Sequence, residues 1–462
     1  MKTIGIYITG LLLLSFTAFT QDKETPPPGG QPKDFTLPER QTVKLDNGLE
    51  LIMIPYGAVP KATINITVKT GNIHEGEAEV WLADLVGDLM EEGSTGMTSK
   101  EIADKMAGMG GNLNIGVGAH TTSLSSSVLY EFTPEAIKVM AGVLQNPKFP
   151  ESEIDRLKND MKRQLSVTLS RPQPKASQAF YAQLYPDHSY GRLYPSEDMI
   201  SSFNVEMIRK HYNENFGARR TTVYVAGKFN ASAVEKAVRE AFGKWKEGPA
   251  PQYIPATPSQ DGQITILDRP DAPQSTIMLG LPVPDPSSAD YIALDVMNSL
   301  LGGSFGSRIT SNIREDKGYT YSPASNISDR YKSAIWYEQA DVTTEFTGPS
   351  LQEITKEIDR LQKEAPSQEE LKGIQNYEAG VFVLQNSTPS GIIGQLVYLD
   401  VYDLDESFLT NKVQNIYAVT PEKIREMAQK YIRPEGMTLV IVGDKKVIEQ
   451  QIKDYEKSIK DY

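Results

Sequence analysis

Two stretches decide the architecture of this chain, "DMISSFNVEMIRKHYNENFGARRTTVYVAGKF" (198–229) and "NKVQNIYAVTPEKIREMAQKYIRPEGMTLVIVGDK" (411–445). Each reads as a helix, a Tyr-containing turn and an apolar strand that closes on glycine. Gly227 and Gly443 stand 216 positions apart. Upstream, "FPESEIDRLKNDMKRQL" (149–165) matches "PSQEELKGIQNYEAGVFVL" (366–384), with Leu157 and Leu371 214 positions apart. Two matches at nearly one offset indicate a duplicated domain of about that length. Strand-like runs such as "TTSLSSSVLY" (121–130) alternate with amphipathic helices. Each copy is therefore expected to be α+β, an antiparallel sheet flanked by helices.

The segment "EGPAPQYIPATPSQDG" (247–262) is rich in proline and separates the copies. Near the start, "TVKLDNGLELIMI" (42–54) predicts two strands around an Asn-Gly turn. Before it, "DKETPPPGGQPKD" (22–34) has the composition of an unstructured linker. The chain opens on Lys2, the apolar run "IGIYITGLLLLSFTAF" and then "TQDKE". That order predicts a signal peptide cleaved near Thr20–Gln21, with an uncleaved membrane anchor as the other reading. The expected layout is a signal peptide at 1–20, a linker at 21–39, a first domain at 40–246, a second linker at 247–262 and a second domain at 263–462. The 462 residues exceed what one core serves, and there is no Cys for disulfides or lipidation. A net charge of −13 disfavours nucleic acid as a partner. No later segment has the apolar length of a membrane span. These features together predict an exported, periplasmic protein.

The stretch "WLADLVGDLMEEGST" (81–95) carries the chemical question. It reads as a helix closing on a glycine turn, with Asp84 and Asp88 four residues apart on what its periodicity makes the inner face. Acids seldom sit there without a reason. In the second copy, "LLGGSFGSRITSNIREDKGYTYSPAS" (300–325) contains a glycine-rich turn and, beyond it, Arg314 and Tyr321, seven residues apart. The turn "GGSFGSR" (302–308) lacks the Lys-Ser/Thr of a phosphate-binding loop and reads as a place where backbone comes close to its neighbours. On spacing alone, Arg314 pairs with Glu315 or Asp316 and the tyrosines pack in a sheet.

These elements, with "VKTGNIHEGEAEVWLADLVGDLMEEGSTGMTSKEIADKMAGMGGNLN" (68–114) and "YPDHSYGRLYPSEDMI" (185–200), resemble the pitrilysin/insulinase/processing-peptidase family of M16 zinc metallopeptidases. The likeness runs from about Arg40 to about Lys453. It implies two homologous α+β halves closing like a clamshell. Active members carry His-x-x-Glu-His on a first-half helix and a distant Glu as third ligand. Two His at i and i+4 grip zinc while the intervening Glu activates water. Laid on this chain with "GST" as anchor, the ligand positions fall on Asp84 and Asp88, the base on Gly87 and the third ligand near Gln164. All four are changed, so the resemblance implies no zinc of this chain's own, with residual binding of a harder ion by Asp84, Asp88 and Glu91 or Glu92 as the other reading. The four histidines, His74, His120, His188 and His211, form no substitute pair.

In active members an Arg and a Tyr at this spacing reach across the cleft to the substrate carbonyl. Arg314 and Tyr321 inherit that role by resemblance, with Tyr319 competing for the second place, and Gly302, Gly303 and Ser304 as substrate-binding residues. The implied function is that of an M16-like subunit, inactive alone, that pairs with a zinc-bearing M16 chain and helps it hydrolyse unfolded peptides in an enclosed chamber. Zinc would belong to the partner. Peptides would bind by adding a strand to a sheet edge, in the partner or along "GGNLNIGVGAHTTSLSSSVL" (110–129) here. The rival readings are a non-catalytic peptide-binding or scaffolding protein of the same fold, and a hydrolase with an unrecognised site. The last is opposed by the absence of Cys and of G-x-S-x-G.

Overall fold

The computed structural model describes residues 34–460. The expected signal peptide and the expected linker up to residue 33 lie outside the described residues. Residues 34–39 form no helix or strand, yet they are not loose. Phe35 meets Phe382 edge-on at 5.0 Å, and Leu37 lies against the same apolar cluster. The expected linker therefore stops short of residue 39.

The first half forms a six-stranded sheet. Its strands are β1 (Gln41–Lys44), β2 (Glu50–Pro55), β3 (Lys61–Val68), β6 (Asn114–Val117), β7 (Thr122–Leu129) and β8 (Thr221–Gly227), in the order β1-β2-β8-β3-β7-β6. Two short strands, β4 (Gly93–Ser94) and β5 (Met97–Thr98), form a separate hairpin. The second half builds β9 (Ile264–Asp268), β10 (Gln274–Val283), β11 (Ala324–Arg330), β12 (Ser333–Thr343) and β13 (Thr438–Gly443), in the order β11-β12-β10-β13-β9.

Strand for strand, β9, β13, β10, β12 and β11 reproduce β2, β8, β3, β7 and β6, which bears out the duplication. Both sheets depart from the expectation of purely antiparallel pairing. β2 lies parallel to β8, and β9 parallel to β13. The Gly that ends β8 or β13 marks this parallel central strand, and a long helical excursion is needed to return the chain to it. The expected hairpin is present, with Thr42 opposite Ile52.

All seven residues of β8 and all six of β13 are buried. Strands covered on both faces read as near-continuous apolar runs, as "TVYVAG" and "TLVIVG" do. One face of each sheet is covered by helices of its own half. The other face is covered by a helix from the opposite half. Helix Pro172–Leu184 of the first half places Ala176, Phe180 and Leu184 against Met278, Ile335 and Val440 of the second sheet. Helix Pro389–Tyr402 of the second half places Ile392, Ile393 and Leu396 against Ile54, Tyr224 and Ala226 of the first.

The segment 247–262 contains no helix or strand but is held in place. Arg220 Nε donates to Ala250 O at 3.1 Å, Ser259 N to Leu184 O at 2.8 Å, and the Tyr253 ring stacks on Tyr331 at 4.6 Å. Gln260, Asp261 and Gly262 are exposed. We place the domain boundary in this segment. Limited proteolysis is expected to cut at 260–262 and give two fragments that still co-elute on gel filtration, because each sheet keeps a helix from the other fragment. Fragments that separate without denaturant would show that the exchanged helices contribute little.

Candidate functional site

The acidic helix spans Leu82–Glu91. It starts on Trp81, which holds a left-handed conformation at φ 71°. A bulky residue adopts that region only under constraint. The constraint is Glu75, a buried carboxylate from the preceding loop. It accepts hydrogen bonds from Trp81 N at 3.2 Å, Ala83 N at 2.8 Å and Asn72 Nδ2 at 3.1 Å. These bonds satisfy donors that the first helical turn leaves without intrahelical partners. The Trp81 indole adds a bond to Leu193 O at 3.1 Å.

Asn72 Nδ2 also donates to Asp84 Oδ2 at 2.8 Å. Asp84 is thus half-buried and engaged in holding the helix start, where its charge also suits the helix dipole. Asp88 is exposed, so the inner-face reading of the two acids fails for it. The helix buries Leu82, Leu85, Val86 and Leu89, and turns Asp88 out. Burial pushes the Asp84 carboxyl up, and Asp88 rises to about 6 from desolvation and from the charges of Asp84, Glu91 and Glu92.

Gly87 is buried against β6, where a Cβ would stand 2.9 Å from Val117 Cγ2. A side chain at the position that carries the base in active members therefore requires the Val117 side chain to shift. Gln164 is exposed on helix Glu151–Ser170, and no bond links it to Asp84 or Asp88 among the described residues. Arg156 of that helix ties to Glu92, to Glu153 at 2.8 Å and to Asp160 at 3.3 Å. No group of three or more His, Cys, Asp or Glu side chains able to hold a metal occurs among the described residues. Two carboxylates, one engaged by an amide, with a glycine and a remote glutamine, do not suit zinc.

The outer edge of β6 is partly taken as well. Glu91 Oε1 accepts from Ile115 N at 3.1 Å, filling a donor that an added strand would need.

The second half is built differently at the matching place. The chain winds wide at Ser299–Gly303 and again at Ser311–Asp316, in π-type turns, which are rare and frequently accompany functional sites. Gly302 fits under the sheet only because it lacks a side chain. A Cβ there would stand 2.5 Å from Ser325 Oγ and 2.8 Å from Glu338 Oε2. Gly302 and Ser304 are buried while Gly303, Phe305 and Gly306 are exposed. Of the three residues expected to bind substrate, only Gly303 is therefore presented to solvent. The loop is anchored by a bidentate pair between Arg308 and Glu370, at 2.8 and 2.9 Å. Asn312 Nδ2 reaches Glu353 and Glu357 at 2.9 and 2.8 Å.

On this anchored base Arg314 lies against two aromatic rings. Its guanidinium carbon lies 4.5 Å from the Phe305 ring centre and 4.7 Å from that of Tyr321. Phe305 is 71% exposed and Tyr321 77% exposed. Arg314 also pairs with Glu315 at 3.1 Å. The salt bridge expected from spacing alone is present, and so is the approach to Tyr321. Tyr319 is different. Its ring stacks on Phe346 at 4.5 Å and its carbonyl accepts from Thr343 N at 3.0 Å, which fixes it in the body of the fold. Sequence reasoning missed Phe305, whose only signal was an aromatic inside a Gly/Ser loop. It also missed Glu75, which nothing in "NIHEGE" sets apart.

Two models of one peptidase family match the chain, the second of them running across the 247–262 segment. "Insulinase (Peptidase family M16)" matches residues 54–194 and "Peptidase M16 inactive domain" matches 202–377. A protein of Rickettsia felis named an uncharacterized zinc protease is 23% identical over 349 residues, 74% of this chain and 83% of that protein. The crystal structure of a peptidase M16 inactive domain from Pseudomonas fluorescens superposes with a TM-score of 0.79 at 24% identity, covering 88% of this chain and 98% of that one. A protease from Helicobacter pylori gives 0.81 at 18% identity over 88% and 100%.

Burial pushes the Glu75 carboxyl up to about 8, with Asp84 adding to the effect and the three donors opposing it. The folded chain thus holds a proton that the unfolded chain releases between the ordinary carboxylate range and about 8. Its stabilising share is present at low pH and lost as pH rises through that window. The melting temperature of Glu75→Gln minus that of the unmodified protein is expected to increase from pH 5 to pH 9. A difference that stays flat would show that Glu75 does not hold the proton. With the first-half motif dismantled and both halves matched, this chain belongs to the M16 (insulinase) peptidase family, as a member that lacks the inverted zinc motif.

Proposed function

We propose that this chain is the non-zinc subunit of a two-chain M16 peptidase, and that it lends Arg314 and Tyr321 to hydrolysis carried out at a partner's metal. The observation that supports this is the half-buried Arg314 held beside the exposed rings of Phe305 and Tyr321 on an anchored loop. A fixed planar cation and a phenol offer donors toward the oxygen of a peptide carbonyl as negative charge develops on it. Phe305 adds a second ring within cation–π reach of the guanidinium. Gly303 and the ring of Phe305 offer the nearest surface for the bound peptide. The substrate is an extended, unfolded peptide. Since Glu91 already engages the β6 edge, the partner's edge strand is the better receiver of that peptide. The chain is exported to the periplasm; among its described residues no helix is long and apolar enough to cross a membrane.

The purified chain alone is expected to bind no stoichiometric zinc and to cleave no peptide, as checked by metal analysis and a peptidase assay. One tightly held zinc per chain would overturn this. Asp84→His, Gly87→Glu and Asp88→His together should not restore activity, because Gln164 leaves the third ligand missing and a side chain at position 87 meets Val117 Cγ2.

The pairing is tested with the zinc-bearing chain that co-purifies with this one, sought first in the adjacent reading frame as a sequence containing His-x-x-Glu-His. In the reconstituted pair, Arg314→Ala or Tyr321→Phe should lower kcat about a hundred- to a thousandfold, the size expected for one oxyanion donor. KM should change little, because the donors act on charge present only in the transition state. Arg314→Lys should rescue little. Tyr319→Phe, in the packed position, should be near neutral. Full activity in both the Arg314 and Tyr321 variants, with the complex intact, would favour the scaffolding reading.

A further inference from the structure

The two sheets correspond in five strands, and the sixth is the point of difference. In the first half β1 covers the outer edge of β2 in antiparallel register. In the second half no strand among the described residues covers the matching edge of β9. The register fixes which groups are left open. Gln263 O accepts from Leu439 N at 2.8 Å and Arg269 N donates to Gly443 O at 2.8 Å. The alternating residues Ile264 and Ile266 therefore turn their N–H and C=O groups outward, and no hydrogen bond takes them up among the described residues. The strand "ITILD" carries no proline and no lysine, two common means of protecting an edge.

Beside this edge lies a groove of about 540 Å³ between β9 and helix Pro172–Leu184. Leu169, Ala179, Ala182 and Leu267 give it an apolar floor, and Lys175 and Arg269 stand at one end. Both cations are exposed and neither has an ion-pair partner among the described residues. The carboxylate of Asp268, also at that end, is engaged with Lys445 N at 3.1 Å. An added strand would complete the sheet as β1 does in the first half. Its alternate side chains would enter the groove, and its end beside Arg269 would meet two cations and the single Asp268 carboxylate, a net positive charge.

We propose that the outer edge of β9 docks an extended segment of a partner polypeptide, which adds as a sixth, antiparallel strand with an acidic residue at its N-terminal end between Lys175 and Arg269. Backbone bonds to Ile264 and Ile266 hold the segment, small or β-branched side chains fill the groove, and the carboxylate sets direction and register. This surface is separate from the Arg314 loop, and its test does not depend on the peptidase reading.

The test uses the mature chain and a fluorescein-labelled heptapeptide, Glu-Val-Thr-Val-Thr-Val-Thr. Two further versions are N-methylated, each at one alternate set of amides, and a fourth has Lys in place of Glu. Fluorescence anisotropy is expected to show saturable binding of the parent peptide. Only one of the two methylated versions should bind, since a strand presents one set of amides to β9 and the other to solvent. Lys175→Glu with Arg269→Glu should weaken the parent peptide about tenfold or more and improve the Lys version. The proposal is overturned by absent binding, by equal binding of the two methylated peptides, or by indifference to the charge reversal. It is also overturned if the chain is a dimer by light scattering that Ile266→Pro converts to monomer, because the edge would then be covered by a second copy.

Discussion

The constraint on which the rest of the structure depends is that β8 and β13 are buried on both faces, and neither half supplies the second cover for its own sheet. Helix Pro172–Leu184 leaves the first half to seal the second sheet, and helix Pro389–Tyr402 returns the exchange. Each fully buried aliphatic or aromatic side chain in such a contact contributes roughly 1.5–3 kcal/mol relative to exposure. Phe180, Leu184, Ile392 and Ile393 all lie in these contacts. The two halves are therefore joined by their cores as well as by the proline-rich segment between them.

A duplicated frame of this kind places equivalent helices and strands in both halves, and the two have diverged in opposite senses. In the first half the helix that carries the metal motif in active relatives has been consolidated. Glu75 and Asn72 pin its start, Asp84 joins that network, and Gly87 lets β6 close against it. In the second half the matching region winds through two wide turns, next to which Phe305 and Tyr321 are exposed on either side of a half-buried Arg314 in sequence. Exposing two large aromatics has a hydration cost that a purely structural loop would avoid by packing them, as Tyr319 is packed on Phe346.

The Asn-Gly hairpin was legible from local order and the duplication from two matches at one offset, while the loss of the zinc motif was legible only by resemblance. Glycine at strand ends, alternation in strands and proline clusters act within a few residues. The approach of Arg314 to Tyr321 was legible only by resemblance. Spacing alone was equally consistent with the Arg314–Glu315 pair, which is also present.

What the sequence by itself determined is which segments form helix and strand and which chemical groups remain in the chain. Only the tertiary structure decided that Asp84 serves the helix start, that Asp88 faces solvent, that Ser304 is buried while Phe305 is not, and that each sheet borrows a helix from the other half. The physical reason is that hydrophobic burial is non-directional. An amphipathic helix such as Pro172–Leu184 states that it must cover an apolar surface, and it does not state which one. That choice depends on the areas left open once both sheets have formed, a quantity that belongs to the whole fold and to no segment of it.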